Sequence, residues 1–281
     1  MKNDSLSYKK NVKQPSISEK NTLNHLNSKE WVEFTKSWFI ESPSPRAKGV
    51  ILHPAKYPES LVEKFLLFFT QNDGVIFDPF LGTGSSLVAV DNLNKSVLGS
   101  NRKGFGTELN PEYAKIASDR TEQTVYNKNC FDLNIDEIPD LDFIITSPPY
   151  WNVLHKDSGH INKKREKMGL DVVYSDDESD LGNIDDYDEF IKVLSDFFSK
   201  ISIKLKDKKF CVVVLSCTNR KGRFYPIPYD FAGELQKKCK LVLKGEKIWC
   251  QDNKALMPYG YPYSFVPNFT HHTCLIFRKE N

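Results

Sequence analysis

Apolar and polar positions follow two alternating patterns from residue 74 to the end of the chain. Short apolar runs bounded by turn residues predict strands, and segments with apolar residues every three or four positions predict helices. The predicted strands are "GVIFDP" (74–79), "GFGTEL" (104–109), "LDFIITS" (141–147), "FCVVVLS" (210–216), "LVLKGEKIWC" (241–250) and "HTCLIFRK" (272–279). The predicted helices are "SSLVAVDNL" (85–93), "PEYAKIASDR" (111–120), "YDEFIKVLSDFFSKISIKL" (187–205) and "DFAGELQKKC" (230–239). Such alternation is typical of a mainly parallel sheet covered by helices on both faces.

The segments outside this alternation set the expected domain organisation. No long helix separates the last two predicted strands, so one edge of the sheet should end in an antiparallel pair. Residues 1–28 are polar and without a period, which predicts a flexible arm. Residues 29–281 then form a single domain. Within it the charged segment 155–186 lacks a period and predicts an insertion that contributes to target recognition.

Composition narrows the class of protein. The 281 residues are 40% hydrophobic, which suits a soluble globular protein. No apolar run approaches the roughly 18 residues of a membrane span, and the polar start lacks the apolar core of a signal peptide, so we expect a cytoplasmic protein. The six cysteines are scattered and should be reduced core residues. His271 and His272 have no acid or cysteine cluster beside them, and we expect no metal.

Charge is small overall but uneven along the chain. The formal net charge is +2, so a site for a polyanion must come from local asymmetry. Residues 176–189 hold eight acidic and no basic side chains, whereas residues 200–254 hold fourteen basic and five acidic ones. We expect the acidic window to face away from any nucleic acid or to cap the helix that follows it.

A glycine turn follows the first strand of the alternation. In "DPFLGTGSS" (78–86), Gly82 and Gly84 allow a tight turn and a close approach of the backbone to a ligand. Leu87 replaces the third glycine of a dinucleotide fold, and no Gly-Lys-Ser/Thr follows. Glu108, at the end of the next strand, is placed to accept both hydroxyl hydrogens of a ribose, and Asp132 to hold an adenine amine. The pattern predicts a binding site for a nucleoside that carries no pyrophosphate. The alternatives are a tight turn without a ligand and strand-end carboxylates that contact only solvent.

"TSPPYWN" (146–152) ends the strand "LDFIITS" with two prolines. They stiffen the exit of the chain and fix the Ser147 hydroxyl and the Pro148 carbonyl as two acceptors in the crevice. Two acceptors can hold the hydrogens of an exocyclic amine and localise its nitrogen lone pair for attack on a methyl group. Tyr150 offers a face on which an extruded base can stack. The alternative is a rigid loop with a core aromatic.

These motifs resemble those of a known family. "DPFLGTG", "TELNPEY" and "TSPPYWN" look like the cofactor and catalytic motifs of the amino-methylating DNA methyltransferases, which methylate cytosine N4 or adenine N6 with S-adenosyl-L-methionine. "HPAKYPESLVEKFL" (53–66) and "YSFVPNFTHHTCLIFRK" (263–279) resemble further segments of that family. The resemblance implies a Rossmann-like α/β methyltransferase fold with a mainly parallel seven-stranded sheet, helices on both faces and an antiparallel last strand.

The resemblance also implies the site residues. The implied cofactor-binding residues are His53, Lys56, Tyr57, Asp78, Phe80, Gly82, Gly84, Glu108, Leu109 and Asp132. The implied catalytic residues are Ser147, Pro148, Pro149 and Tyr150.

The identity of the modified base follows from one position. Ser147 is usual in cytosine-N4 enzymes of the family, whereas Asp or Asn is usual in adenine-N6 enzymes, so N4-cytosine is the first hypothesis and N6-adenine the alternative. No Pro-Cys pair exists for the covalent cytosine-C5 route. The expected setting is a restriction-modification system, with double-stranded DNA as substrate and a restriction endonuclease as possible partner. A methyltransferase acting on RNA or on a protein amide remains open, as does a non-catalytic nucleic-acid-binding module.

Two basic clusters are the candidates for DNA contact. Arg220, Lys221 and Arg223 leave the strand 210–216 on the side of the catalytic turn. Lys163, Lys164 and Arg165 in the insertion are the second choice. In both cases the alternative is a solvated basic loop.

Overall fold

The computed structural model describes residues 20–42, 57–151 and 181–281. These residues contain the helices α1 (Ser28–Phe34), α2 (Glu59–Phe69), α3 (Ser85–Ser96), α4 (Pro111–Arg120), α5 (Tyr187–Ile201) and α6 (Ile227–Lys238). The strands are β1 (Trp38–Ile40), β2 (Val75–Asp78), β3 (Lys103–Glu108), β4 (Thr124–Asn127), β5 (Leu141–Thr146), β6 (Leu205–Leu215), β7 (Thr218–Arg220), β8 (Arg223–Tyr225), β9 (Leu241–Cys250) and β10 (His271–Lys279). None of the helices in these three ranges has the length and apolarity needed to cross a membrane.

One sheet of eight strands organises the fold. Its strand order is β1-β9-β10-β6-β5-β2-β3-β4, and β10 alone runs antiparallel to its neighbours. The predicted mainly parallel α/β sheet is therefore confirmed. The chain moves outward from β2 through β3 and β4 in one direction, and from β5 through β6 in the other. The switch between β2 and β5 opens the crevice in which such sheets bind ligands.

Two features of the sheet differ from the expectation. The expected antiparallel last strand is confirmed as β10, but its pair with β9 does not end the sheet, because β1 lies outside β9. An eighth strand, β1, pairs in parallel with β9 and adds to the seven expected strands. The extra strand begins within "SKEWVEFTKSWF" (28–39). This segment contains helix α1 and the start of strand β1, and a strand of three residues is too short to show an apolar pattern.

Alternating side chains along the strands supply two cores. Ile76, Ile145 and Val212 point to the face covered by α2 and α3. Phe77, Ile144 and Val213, which are direct neighbours of these residues in the same strands, point to the face covered by α5 and α6. This alternation with period 2 is what a strand covered on both faces requires. Helices on both faces of the sheet are therefore confirmed.

The last residues of the expected arm, 20–28, belong to the fold, so the arm boundary at residue 28 is wrong for them. Asn24 is almost fully buried, and its side-chain amide donates to the carbonyl oxygen of Phe68 at 2.5 Å. Leu23 and Leu26 pack against the core under α2. The packing of residues 20–28 against α2 was not predicted, because the segment is mostly polar. Its buried contacts come from one asparagine and two leucines that follow no periodic pattern.

Candidate active site

The carboxyl ends of the parallel strands bring the predicted site residues to one edge of the sheet. The glycine turn (78–86) follows β2, Glu108 ends β3, and the turn Ser147 to Tyr150, called here the SPPY turn, follows β5. The antiparallel β7–β8 hairpin follows β6, and the loop 251–270 follows β9. All of these strands run in the same direction, so their exits meet at the edge that the strand-order reversal opens.

The glycine turn is held closely against α4. Gly84 has a φ of +85°, and a Cβ atom at this position would lie 3.0 Å from the Cβ of Ala117. Leu81 donates its backbone N–H to the carbonyl oxygen of Thr107 at 2.9 Å. Arg120 donates to the carbonyl oxygen of Thr83 and forms an ion pair with Glu59 at 2.5 Å. The turn is therefore fixed by its neighbours, and its backbone forms the wall of the crevice.

Glu108 lies directly beside this turn. One carboxylate oxygen accepts the backbone N–H of Gly82 at 2.7 Å, and the other accepts that of Asn110 at 2.9 Å. Asn110 caps the N-terminus of α4. The carboxylate thus joins the glycine turn to the end of β3. Each carboxylate oxygen can accept more than one hydrogen bond, so this geometry suits contact with vicinal hydroxyl groups as well.

Asp78 lies beneath the turn, fully buried, and not at its surface. One of its carboxylate oxygens accepts from the hydroxyl groups of Tyr57 at 2.6 Å and Ser86 at 2.5 Å. The other accepts from the Thr146 hydroxyl at 2.6 Å and from the backbone N–H of Phe80 at 3.1 Å. Burial raises the pKa of Asp78 above its usual value, while these hydrogen bonds oppose the rise. Asp78 therefore connects the glycine turn to the residue that immediately precedes Ser147.

The SPPY turn points a serine hydroxyl toward the crevice edge of β5 and β6. The Ser147 hydroxyl donates to the carbonyl oxygen of Val214 at 3.1 Å. Its oxygen also lies 3.3 Å from the Tyr150 hydroxyl. Pro148 is buried, whereas Pro149 and Tyr150 are half-buried. A hydroxyl hydrogen engaged by Val214 leaves the oxygen of Ser147 oriented as an acceptor.

One partner of this turn, His272, was not predicted from the sequence. Its Nδ1 atom lies 2.8 Å from the Tyr150 hydroxyl, and its ring stacks on Trp249 with 4.8 Å between ring centroids. Burial, aided by Lys254, lowers the pKa of His272 to about 3, so the imidazole is neutral at physiological pH. The signal in the sequence was a histidine at the start of the last strand, but its partner lies 122 positions earlier in the chain.

Known DNA methyltransferases are similar to the part of the chain that contains the glycine turn and Glu108. A family model described as DNA methylase, of the N6/N4 type, matches residues 1–119, and the SPPY turn lies beyond that match. The orphan methyltransferase M.BamHII of Bacillus amyloliquefaciens is 36% identical over 26% of this chain and 25% of its own length. The Type II methyltransferase M.BglII of Bacillus subtilis is 35% identical over 24% of this chain and 16% of its own length. The chain thus spans about a quarter or less of the length of these relatives.

The resemblance to the amino-methylating DNA methyltransferases is confirmed by these sequence matches.

Among solved structures, a precorrin-6y C5,15-methyltransferase from Geobacter metallireducens GS-15 matches 84% of this chain and 93% of its own at 13% identity, with a TM-score of 0.47. A likeness of this size carries no argument about function, and the fold rests on the strand order described above.

Of the remaining cofactor residues implied by the methyltransferase resemblance, Tyr57 and Phe80 lie at the glycine turn. Tyr57 lies under the turn with Asp78, and burial, together with that carboxylate, raises the pKa of its hydroxyl well above the usual value. Phe80 is half-buried, with its ring 5.5 Å from that of Phe197. Leu109 follows Glu108, and Asp132 is exposed in a 3-10 turn after β4. His53 and Lys56 lie outside the described residues.

These features fit an adenosine-type group. The glycine turn presents backbone where a side chain would clash, and a half-buried carboxylate stands at the end of the neighbouring strand. No Gly-Lys-Ser/Thr segment is present to bind a triphosphate. This combination suits S-adenosyl-L-methionine, because that cofactor carries a nucleoside without phosphates.

The first basic cluster lies where the sequence predicts it, beside the SPPY turn. The hairpin β7–β8 packs on Trp151 through Tyr225, with 4.7 Å between ring centroids. Lys221 and Arg223 are exposed, whereas Arg220 is half-buried, 4.8 Å over the ring of Trp151. Trp151 itself is buried, as expected for a core residue. The second cluster, Lys163, Lys164 and Arg165, lies outside the described residues.

The described part of the acidic window, residues 181–189, lies beside this hairpin. Asp185 lies 3.8 Å from Arg220, and both residues line a cleft of about 390 Å³ together with Asp186, Asp188 and Lys221. Asp185 therefore lies beside the predicted DNA-contact cluster, and the expectation that the window faces away from nucleic acid stays a prediction. The expectation that it caps the next helix is met by Asp186, which accepts the backbone N–H of Glu189 at 2.8 Å. Attraction between opposite charges explains the placement of Asp185.

Cysteine and histidine chemistry adds no further site. All six cysteines carry free thiols, of which Cys130, Cys211 and Cys274 are buried. Burial raises the pKa of the Cys211 and Cys274 thiols far above the usual value, which makes them poor nucleophiles. Within residues 20–42, 57–151 and 181–281, no three His, Cys, Asp or Glu side chains gather as metal ligands would.

Proposed function

We propose that this protein transfers a methyl group from S-adenosyl-L-methionine to an exocyclic amine of a base in double-stranded DNA. The observation that carries the proposal is the joining of the glycine turn to the SPPY turn through Asp78. A hydrogen bond from Thr146 and two from the region of residues 80–86 converge on one carboxylate. A crevice that binds a methyl donor and a turn that binds a methyl acceptor must be held in register, and Asp78 supplies this connection.

The Ser147 hydroxyl is the proposed acceptor for the target amine. Its own hydrogen is directed at Val214, so the oxygen can accept a hydrogen from the amine. The Pro148 carbonyl is the proposed second acceptor, because a proline followed by a proline has little conformational freedom. Two acceptors on one amine draw its nitrogen toward tetrahedral geometry and localise its lone pair.

Tyr150 is the proposed support for the base. Its hydroxyl is engaged by His272, which fixes the ring and leaves one half-buried aromatic side chain beside Ser147. Stacking of a base on an aromatic ring is worth about 1–3 kcal/mol in single-strand binders. A base inside a duplex cannot reach such a pocket, so we propose that the target base is flipped out of the helix.

S-adenosyl-L-methionine is the proposed cofactor of the crevice. When bound, it supplies a methyl group on a positively charged sulfur, which makes that group electrophilic. Glu108 is placed to hold ribose hydroxyl groups, and the backbone around Gly82 and Gly84 allows close approach of the ligand. Tyr57 and Asp78 act on the proposed cofactor site from beneath the turn. The other residues of the proposed cofactor environment are His53, Lys56, Phe80, Leu109 and Asp132.

Cytosine N4 is the proposed target atom, with adenine N6 as the alternative. The argument rests on Ser147, since a neutral hydroxyl occupies the position that Asp or Asn usually occupies in adenine enzymes of the resembling family. We further propose that the enzyme works in the bacterial cytoplasm within a restriction-modification system, where a cognate endonuclease would act on the same site. Orphan and Type II methyltransferases are both among the relatives.

Expression in a host without DNA methylation tests this function. Sequencing sensitive to N4-methylcytosine and N6-methyladenine would map each modified base with its surrounding sequence. N4-methylcytosine at one recurrent motif is the expected result. N6-methyladenine at such a motif would select the alternative. Unmodified DNA, with tight DNA binding by the purified protein, would instead indicate a non-catalytic binding module.

The Ser147→Ala and Tyr150→Ala variants test the proposed chemistry. We expect each to lower methyl transfer by about 100-fold or more, the range seen when one positioned hydrogen-bonding group is lost from an active site. Binding of S-adenosyl-L-methionine, measured by calorimetry, should persist. Ser195→Ala is the matched control, because the buried Ser195 hydroxyl has no hydrogen-bond partner and lies on α5. Full activity in both variants would refute the mechanism.

A further inference from the structure

The loop 251–270 between β9 and β10 carries a cluster of exposed apolar side chains. Tyr261, Tyr263 and Phe265 are 82%, 95% and 89% exposed. Leu256, Met257 and Tyr259 are also exposed, so six of the fifteen large hydrophobic residues exposed in the described chain lie within residues 256–265. Contiguous apolar exposure of this kind marks an interaction surface. Residues 251–270 are called the aromatic loop below.

The backbone of the aromatic loop is well braced although its rings are exposed. Met257 and Asn268 exchange two hydrogen bonds of 2.9 Å across the base of the loop. At the tip, the carbonyl oxygen of Gly260 accepts from the backbone N–H groups of Tyr263 at 2.8 Å and Ser264 at 2.7 Å. Gly260 has a φ of +74°, and a Cβ atom there would lie 2.3 Å from the Ser264 carbonyl oxygen. The tight turn holds the rings outward.

The aromatic loop stands at the edge of the sheet that carries the candidate active site. It leaves the carboxyl end of β9, which runs parallel to β5, and it returns into β10 next to His272, the partner of Tyr150. Phe269 lies 6.1 Å from Phe224 between ring centroids, which connects the loop to the basic hairpin with the exposed Lys221 and Arg223. Exposed rings and exposed cations therefore share one surface.

The chemistry of this surface fits nucleobases. Its most exposed side chains are planar rings, and the loop 251–270 contains only two charged residues, Asp252 and Lys254. Planar rings beside cations are the means by which proteins hold bases that have left the helical stack, with the cations on the phosphates. Rings inserted at a base step also fill the gap that an extruded base leaves.

We propose that the aromatic loop stacks on unstacked nucleobases of the DNA substrate, beside the target base. The proposal rests on the proposed function and assigns a second DNA-binding element to the same site. Lys221 and Arg223 contact phosphates, while Tyr261, Tyr263 and Phe265 contact bases. Stacking of one base on one ring raises affinity about fivefold to a hundredfold.

Binding of labelled oligo(dT) by the full chain tests the proposal. The variant Tyr261→Ala/Tyr263→Ala/Phe265→Ala should bind at least about tenfold more weakly, with an unchanged salt dependence because the phosphate contacts remain. The matched control is Leu98→Ala/Ile203→Ala/Val242→Ala, which removes three exposed apolar side chains near the amino ends of β3, β6 and β9. This control, and the variant Tyr261→Phe/Tyr263→Phe, should bind like the wild type.

Other outcomes separate this proposal from the proposed function. Oligo(dT) affinity of the triple variant within about twofold of the wild type would overturn the role of the loop, as would wild-type protein that binds no DNA. Self-association by the wild type in sedimentation velocity, lost in the triple variant without any change in DNA binding, would also overturn it. Methyl incorporation into DNA by the wild type is measured in parallel. Its absence, with oligo(dT) binding still dependent on the three rings, would refute the proposed function and leave the surface in place.

Discussion

Asp78 illustrates how a single residue can serve a site from outside it. Four donors satisfy its two buried oxygens, and they come from α3, β5, the turn itself and Tyr57, two residues before α2. A buried carboxylate without such partners would cost several kcal/mol of desolvation free energy. Asp78 therefore joins the proposed methyl-donor site to the proposed methyl-acceptor site, and this structural role is as important as any contact with the cofactor.

Thr146→Val tests this connection at one bond. The substitution keeps the shape of the side chain but removes the donor that lies 2.6 Å from Asp78, and we expect the free energy of unfolding to fall by about 1–3 kcal/mol. Methyl transfer should fall as well, because Ser147 follows directly. Urea denaturation gives the first quantity and methyl incorporation the second. The exposed Thr124 on β4 offers the control Thr124→Val, which should change neither, and an unchanged Thr146→Val protein would contradict the role of Asp78.

His272 makes stability depend on pH. Its pKa is lowered to about 3 by burial in the folded protein, whereas an unfolded histidine titrates near 6.5. As pH falls below about 6.5, the unfolded chain takes up a proton that the folded chain does not, so this residue favours unfolding by at most about 1.4 kcal/mol per pH unit. Urea unfolding at about pH 7 and about pH 5 should reveal the loss, and His272→Asn, which keeps a polar group near Tyr150, should reduce it. Equal losses in both proteins would exclude His272 as the cause.

At the scale of elements, the turn between β2 and α3 depends on its contact with α4. Gly84→Ala places a side chain at a φ of +85° and against Ala117, so we expect both lower stability and weaker binding of S-adenosyl-L-methionine. The backbone strain alone costs about 1–2 kcal/mol. The double variant Gly84→Ala/Ala117→Gly removes the clash but keeps the strain. A double-mutant cycle should therefore give a favourable coupling, and simple additivity would show that the contact does not constrain the turn.

The sequence predicted the elements better than their arrangement. Runs such as 141–147 and 210–216 are buried on both faces, and their apolar pattern identifies them without knowledge of neighbours. Strand β1 has only three residues and is held by distant partners, such as the Trp249 indole, which donates to the carbonyl oxygen of Glu41 at 2.9 Å. The position of β10 inside the sheet likewise depends on pairing with β6, some sixty residues away along the chain. Local patterns do not encode such contacts.

The candidate site divides in the same way. Gly82, Glu108 and Ser147 were found from the sequence because turn chemistry and strand ends are local properties. The engagement of Tyr150 by His272 and the burial of Asp78 were not, because each depends on residues brought together by the whole sheet. The pairing of Asp185 with Arg220 was not predicted for the same reason: a count of charges along the chain says nothing about which of them meet.

At the scale of the whole molecule, a net charge of only +2 supplies little long-range attraction for the proposed DNA binding. The acidic side chains beside the basic hairpin weaken its field further, so we expect few phosphate contacts and a shallow dependence of affinity on salt. Lys221→Ala and Arg223→Ala should each lower the slope of log affinity against log salt by about one, since each removes one exposed cation. Arg220→Ala is the informative comparison, because its guanidinium already contacts Trp151 and Asp185. We expect that variant to lower stability and to leave the slope nearly unchanged. A slope that falls equally in all three would mean that Arg220 leaves Asp185 when DNA binds.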